Sequence, residues 1–134
     1  MKKVVAIIER ASDGRYSIFS DNDNLPFLLT GTGATVAEAY DAFMGGYDDM
    51  KRIFEEDGKE FERLVFEFRY DIPSFLQQYA YALTLAGLER ITGVNQKQLS
   101  HYINGVRKPS KATTKKIEEK LRAFGNEIAS VRFV

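Results

Sequence analysis

Over the first seventy residues hydrophobic positions recur mostly every second residue, around one stretch with helical spacing, and from Pro73 onward every third or fourth. Lys3–Arg10 (KVVAIIER) is apolar and β-branched, Ser12-Asp13-Gly14 supplies a turn, and Arg15–Ser20 (RYSIFS) alternates Tyr16 and Ile18 against Arg15 and Ser17. Two strands joined by a short Asp-Gly loop predict a hairpin. Asp21-Asn22-Asp23-Asn24 reads as a polar loop, and Phe27–Thr30 (FLLT) as a third strand stopped by Gly31 and Gly33. Thr35-Val36-Ala37-Glu38 is a capping box, in which hydroxyl and carboxylate serve the free N–H groups of a helix start. Val36, Tyr40, Phe43, Tyr47, Met50 and Phe54 then recur at spacings of 3 or 4, the apolar stripe of a helix lying on a sheet. Gly45-Gly46 inside that stripe reads as a close packing point or a kink. Glu62–Tyr70 sets Leu64, Phe66, Phe68 and Tyr70 against Arg63, Glu67 and Arg69, which predicts a fourth strand.

From Pro73 onward the period is helical. Pro73–Ala82, Leu85–Ile91, Gln96–Asn104 and Lys111–Phe124 form four predicted helices, separated by Gly93-Val94, by Gly105 with Pro109, and closed by Gly125. Ser130–Val134 (SVRFV) is β-prone again. The expected fold class is α+β, a β-β-β-α-β part over residues 1–70 and a helical part over residues 71–134 with a short β-prone tail.

Charge follows the same division. The 134 residues balance 19 Lys+Arg against 19 Asp+Glu. Residues 1–84 hold 9 basic and 15 acidic side chains, a balance of −6, and residues 85–134 hold 10 and 4, a balance of +6. A basic part suits a polyanion, and an acidic part suits a basic partner. The absence of cysteine removes disulfides, thiol nucleophiles and Cys-ligated zinc. No apolar run reaches the ~20 residues of a membrane span. MKKVVAIIERASDG is too short in its apolar stretch for a secretory signal, so the expectation is a cytoplasmic protein.

Leu85–Gly105 (LAGLERITGVNQKQLSHYING) has the logic of a helix-turn-helix. Gly93 can take the left-handed conformation that ends one helix. Asn95 can cap the next, with Gln98 reaching back to it. Leu88, Val94, Leu99 and Tyr102 fall where two steeply crossed helices share a small core. Gln96, Lys97, Ser100, His101 and Asn104 would then point outward together, able to bond base edges or phosphates. Arg107, Lys108 and Lys111 add cations just beyond, with Lys115 and Lys116 after them. A structural helical hairpin with a basic surface is the competing explanation.

ITGVNQKQLSHYINGVRKPS resembles the helix-turn-helix of phage-repressor-type regulators. VVAIIERASDGRYSIFSDN with LLTGTGATVAEAYDAF resembles HicB-type antitoxins, and the two resemblances stand in that family's order. They imply a partial RNase H-like domain followed by a four-helix lambda-repressor-like domain. They also imply an antitoxin that represses its own operon and neutralises a small HicA-like mRNA-cleaving toxin. Carried over by position, Gln96, Lys97, Ser100, His101 and Asn104 read or position double-stranded operator DNA, and Arg107 and Lys108 meet phosphate. The pattern has a small residue at the fifth position of the first motif helix, where this chain has Glu89.

Other chemistry is weaker. An RNase H-like fold invites a metal-dependent nuclease, but Asp13 is a turn residue, Glu38 belongs to the capping box, and only Glu9 and Asp41 remain. Asp21–Pro26 lacks the ligand and glycine of a calcium loop, and Gly31-Thr32-Gly33 lacks the third glycine of a dinucleotide fingerprint. His101 is the one histidine and has no imidazole or thiolate with which to share a metal. Phe75, Tyr79 and Tyr81 read as core more than as a stacking surface. Asp48-Asp49 and Glu55-Glu56-Asp57 read as a solvated helix face or an attraction for a basic partner. The expectation is a regulator without catalysis, metal or cofactor, with a solitary regulator lacking a toxin and a nuclease as alternatives. One recognition helix covers few base pairs, so at least a homodimer is expected, with Ser130–Val134 a candidate pairing strand.

Overall fold

The computed structural model describes residues 1–21 and 25–134; the polar loop expected at Asp21–Asn24 lies mostly outside the described residues. Its element order is β1 (Lys2–Arg10), β2 (Tyr16–Ser20), β3 (Thr30–Gly33), α1 (Val36–Glu56), β4 (Leu64–Tyr70), α2 (Ile72–Gln78), α3 (Leu85–Thr92), α4 (Gln96–Ile103) and α5 (Lys111–Ala129). This is an α+β chain with one four-stranded mixed sheet and five helices. It separates into two compact units, Met1–Asp71 and Ile72–Val134. No described helix is long and apolar enough to cross a membrane.

In the first unit the strands lie in the order β3-β2-β1-β4. β1 pairs antiparallel with β2, Ile8 opposite Ile18, and parallel with β4, Val4 opposite Phe66. A parallel pair needs a crossover, and α1 supplies it. The alternation puts Val4, Ala6 and Ile8 of β1 and Tyr16 and Ile18 of β2 on the covered face, all buried. α1 meets them with Ala39 and Phe43, and the Phe43 ring packs edge-on against Phe66 at 4.9 Å and Phe68 at 5.9 Å. Tyr47 extends the stripe, its hydroxyl accepting the Leu64 N–H at 3.1 Å. Tyr40, expected inside the stripe, lies at its margin, 43% exposed with its ring 5.3 Å from Phe68.

The third strand is displaced from its expected place. Thr30–Gly33 forms β3, so Gly31 and Gly33 lie inside the strand that they were expected to stop. The cause is the approach of α1. A Cβ on Gly31 would press on the Phe43 backbone nitrogen and sit 2.5 Å from the Ala39 carbonyl oxygen; one on Gly33 would sit 2.7 Å from the Ala39 nitrogen. Glycine is disfavoured in strands in general, but here the helix backbone occupies the space of a side chain. Leu29 is still buried, held by mutual bonds in which Ser20 N–H donates to the Leu29 carbonyl and Leu29 N–H to Ser20 Oγ. By contrast α1 runs unbroken through Gly45-Gly46, and Gly45 faces open space.

The second unit closes on Leu76, Leu88, Leu99, Tyr102 and Ile117, with Val94 and Leu121 packed at the margin. α2 stops at Gln78, short of the predicted Ala82, so Tyr79 and Tyr81 stand in the turn after it. Phe75 packs on the core and against Tyr79 at 4.9 Å, but Tyr81 is 83% exposed and is not core. α5 continues through Gly125 to Ala129, and Ser130–Val134 forms no strand.

Candidate nucleic-acid interface

α3, the turn 93–95 and α4 are fixed by local chemistry at every joint. Thr84 caps α3 by accepting the Gly87 N–H at 3.0 Å. Gly93 ends it at φ 77°, the left-handed region that side chains with a Cβ enter only at a cost. Asn95 caps α4 by accepting the Gln98 N–H at 2.8 Å. The Gln98 side chain does not turn back to Asn95 as expected; its Nε2 donates to the Tyr102 hydroxyl at 3.2 Å. A different residue serves the start of α4. Glu89 Oε1 accepts the Gln96 N–H at 3.0 Å, across the turn. The carboxylate at the irregular fifth position thus ties the two helices together, where a small residue would have let them only pack. It also lies at the positive end of the α4 dipole.

Thr92 makes a second tie. It is buried, its Oγ1 donates to the Leu88 carbonyl at 2.7 Å and accepts the Val94 N–H at 3.2 Å. In the sequence pattern Glu89 stood out only as a departure from the expected small residue, and Thr92 only by its nearness to Gly93. α4 ends in a Schellman arrangement, Val106 N–H donating to the His101 carbonyl at 2.9 Å and Gly105 N–H to that of Tyr102 at 3.2 Å. The chain leaves toward Ser110, which caps α5 by accepting the Thr113 N–H at 3.1 Å.

The candidate residues do not all project outward together. Gln96, Lys97 and Asn104 are exposed, whereas Ser100 and His101 are half-buried. Asn104 Nδ2 donates to Ser100 Oγ at 3.4 Å, which occupies part of that face internally. Nδ1 of His101 is shielded from solvent and has no hydrogen-bond partner. Arg107, Lys108 and Lys111 are exposed around the exit of α4. Of the cations beyond them, Lys115 pairs with Glu119 at 3.9 Å, and the Lys116 side chain lies over Gly93. Between Gln96 and Lys111 there is no acidic residue, and the unit as a whole keeps the balance of 10 basic to 4 acidic side chains, since residues 72–84 carry no charge.

No protein-family model, no curated protein and no solved structure matches this chain. Its geometry has to speak for itself.

Among the described residues, no three His, Asp or Glu side chains gather as a metal site would require. Of the carboxylates considered for one, Glu38 is engaged at the start of α1: its N–H donates to Thr35 Oγ1 at 3.1 Å and its Oε2 accepts the Ala34 N–H at 2.8 Å. Asp13 Oδ1 accepts the Arg15 N–H at 2.9 Å within the hairpin turn. The acidic residues of α1 are exposed, with Arg52 held between Asp49 at 3.2 Å and Glu56 at 3.9 Å.

Proposed function

We propose that this protein is a sequence-specific DNA-binding regulator of the HicB antitoxin type. In this reading unit 2 is a lambda-repressor-like domain that lays α4 in the major groove of operator DNA and represses its own operon. Unit 1 is a partial RNase H-like domain, and its net charge of −6 over residues 1–71 suits a small basic HicA-like toxin. The chain is a binding protein, without catalysis or cofactor. The observation that carries the reading is the α3-turn-α4 unit: a left-handed glycine and a doubly capped second helix that leave Gln96, Lys97 and Asn104 exposed, followed by Arg107, Lys108 and Lys111 with no intervening acid. An exposed amide side chain at the start of a helix, as Gln96 is on α4, can pair with base edges, and the cations release counterions from phosphates.

The test is a mobility-shift titration on the DNA upstream of the protein's own gene, with random duplex as competitor and salt varied. Binding is expected to resist competitor and fall steeply with salt. Lys97→Ala and Arg107→Ala should weaken binding to every sequence and flatten the salt dependence. Gln96→Ala should relax specificity at one or two bases by about 1–3 kcal/mol. Equal affinity for operator and random duplex would end the repressor reading. The toxin half stands or falls on whether the product of an adjacent gene binds residues 1–71 and is inhibited by them.

A further inference from the structure

Among the described residues of unit 1, a cavity lies at the far end of α1. Gly58 turns the chain there at φ 66°, and Lys59 N–H donates to the Phe54 carbonyl at 2.8 Å. The turn brings Glu60-Phe61-Glu62 back over the helix end. Phe61 meets Phe54 edge-on at 5.3 Å and lies nearly parallel to Phe27 at 6.0 Å. Phe54 and Phe27 meet edge-on at 5.8 Å. All three rings are only half-buried, and Phe54 and Phe61 stand outside the core around Phe43. With Leu64 they wall a cavity of about 190 Å³, and Glu60 and Glu62, both exposed, stand at its rim.

We propose that this cavity binds a small organic cation, one ring-sized apolar group carrying an ammonium. Size sets the apolar half, since a cavity of ~150 Å³ with apolar walls accepts benzene. Charge sets the other half, and two observations agree on its sign. Among the described residues Glu60 and Glu62 have no ion pair or side-chain hydrogen bond, and Lys2 is the single cation of the lining against them. The end of α1 adds to the same field. A helix C-terminus usually carries cations that offset the negative end of its dipole. The last turn of α1 has no basic residue, and from Glu55 to Glu62 the chain sets five carboxylates against Lys59. Arg52, one turn back, is held between Asp49 and Glu56. The negative field is left for a ligand to offset, and phenyl faces favour the same sign of charge. The site belongs to unit 1 and owes nothing to α4, so it is tested without DNA.

Isothermal titration calorimetry of the full chain with phenethylamine, phenylethanol and phenylpropionate compares one ring in three states of charge. The amine should bind about tenfold more tightly than the alcohol at low salt, and the acid should not bind. Glu60→Gln combined with Glu62→Gln, at exposed positions, should bring the amine down to the alcohol's affinity. The alcohol's own affinity and the far-ultraviolet circular dichroism should stay unchanged. In nuclear magnetic resonance the amine's ring protons should show Overhauser contacts to Phe27, Phe54 and Phe61. Absence of saturable amine binding at millimolar concentration overturns the proposal, as do ring contacts elsewhere on the chain. Equal binding of amine and alcohol, or a paired substitution without effect, overturns the assignment of a cation.

Discussion

Two pairs of glycines, one at the β3–α1 contact of the first unit and one at the helix joints of the second, serve opposite purposes. In the first, Gly31 and Gly33 let the α1 backbone settle against β3, with a core of apolar strands and aromatic rings packed edge-on around Phe43. In the second, Gly93 and Gly105 take positive φ and reverse the chain between helices too short to stand alone. The β3–α1 contact is therefore limited by space, and the helix joints by conformation. The sheet tolerates no added volume at its glycines. The joints of the helix-turn-helix depend instead on side chains that complete backbone hydrogen bonds.

The sharpest test of space is Phe43→Ala. Removing a fully buried ring at the centre of the aromatic cluster should cost about 3–5 kcal/mol in urea unfolding, with the greatest loss of amide-exchange protection in β1 and β4. A cost below about 1 kcal/mol would mean that α1 is not the lid of the core. Gly31 and Gly93 can then be set against each other. Gly31→Ala puts a Cβ into the backbone of α1 and should cost about 1–3 kcal/mol or more, and Gly31→Asn should cost still more. Gly93→Ala should cost about 1–2 kcal/mol for its left-handed φ, and Gly93→Asn less than alanine, since asparagine tolerates that region. The same order of Ala and Asn at both sites would erase the distinction between volume and conformation.

Smaller effects come from single side-chain bonds. Glu89→Ala frees the Gln96 N–H at the start of α4 and should destabilise the second unit by about 1 kcal/mol, read by thermal unfolding. An unchanged midpoint would show that water serves that N–H equally well. The least effect is expected at Glu67 on β4, whose carboxyl is held below its ordinary value by hydrogen bonds from the Lys3 and Arg69 side chains. A carboxyl lowered in the folded state stabilises above its unfolded value, and that contribution is lost as pH falls through the lowered one. Glu67→Gln should flatten the acid side of the stability profile slightly, because the trio is part-exposed and screened.

Much of the architecture is written in the local pattern. The alternation in Arg15–Ser20 and Glu62–Tyr70, the stripe from Val36 to Phe54, the Thr35-Glu38 cap and the Gly93-Asn95 joint each depend on residues within one element or one turn, so the order of elements was legible. What depended on a distant neighbour was not. β3 takes in its two glycines because α1, met only later in the chain, lies against them. α5 passes Gly125 because helix propensity disfavours a glycine by only about 1 kcal/mol, too little to end a helix of 19 residues. Ser100 and His101 lie on the predicted face of α4, but their half-burial is set by what surrounds that helix. Glu89 looked like a departure from a pattern until the start of α4 was seen to lie within its reach. Sequence alone determined the kind and order of the elements and where the charge divides, because periodicity, capping and composition act within a few residues. Tertiary structure alone decided which glycines are demanded and which polar side chains are spent on the fold, because those depend on atoms brought close from elsewhere in the chain.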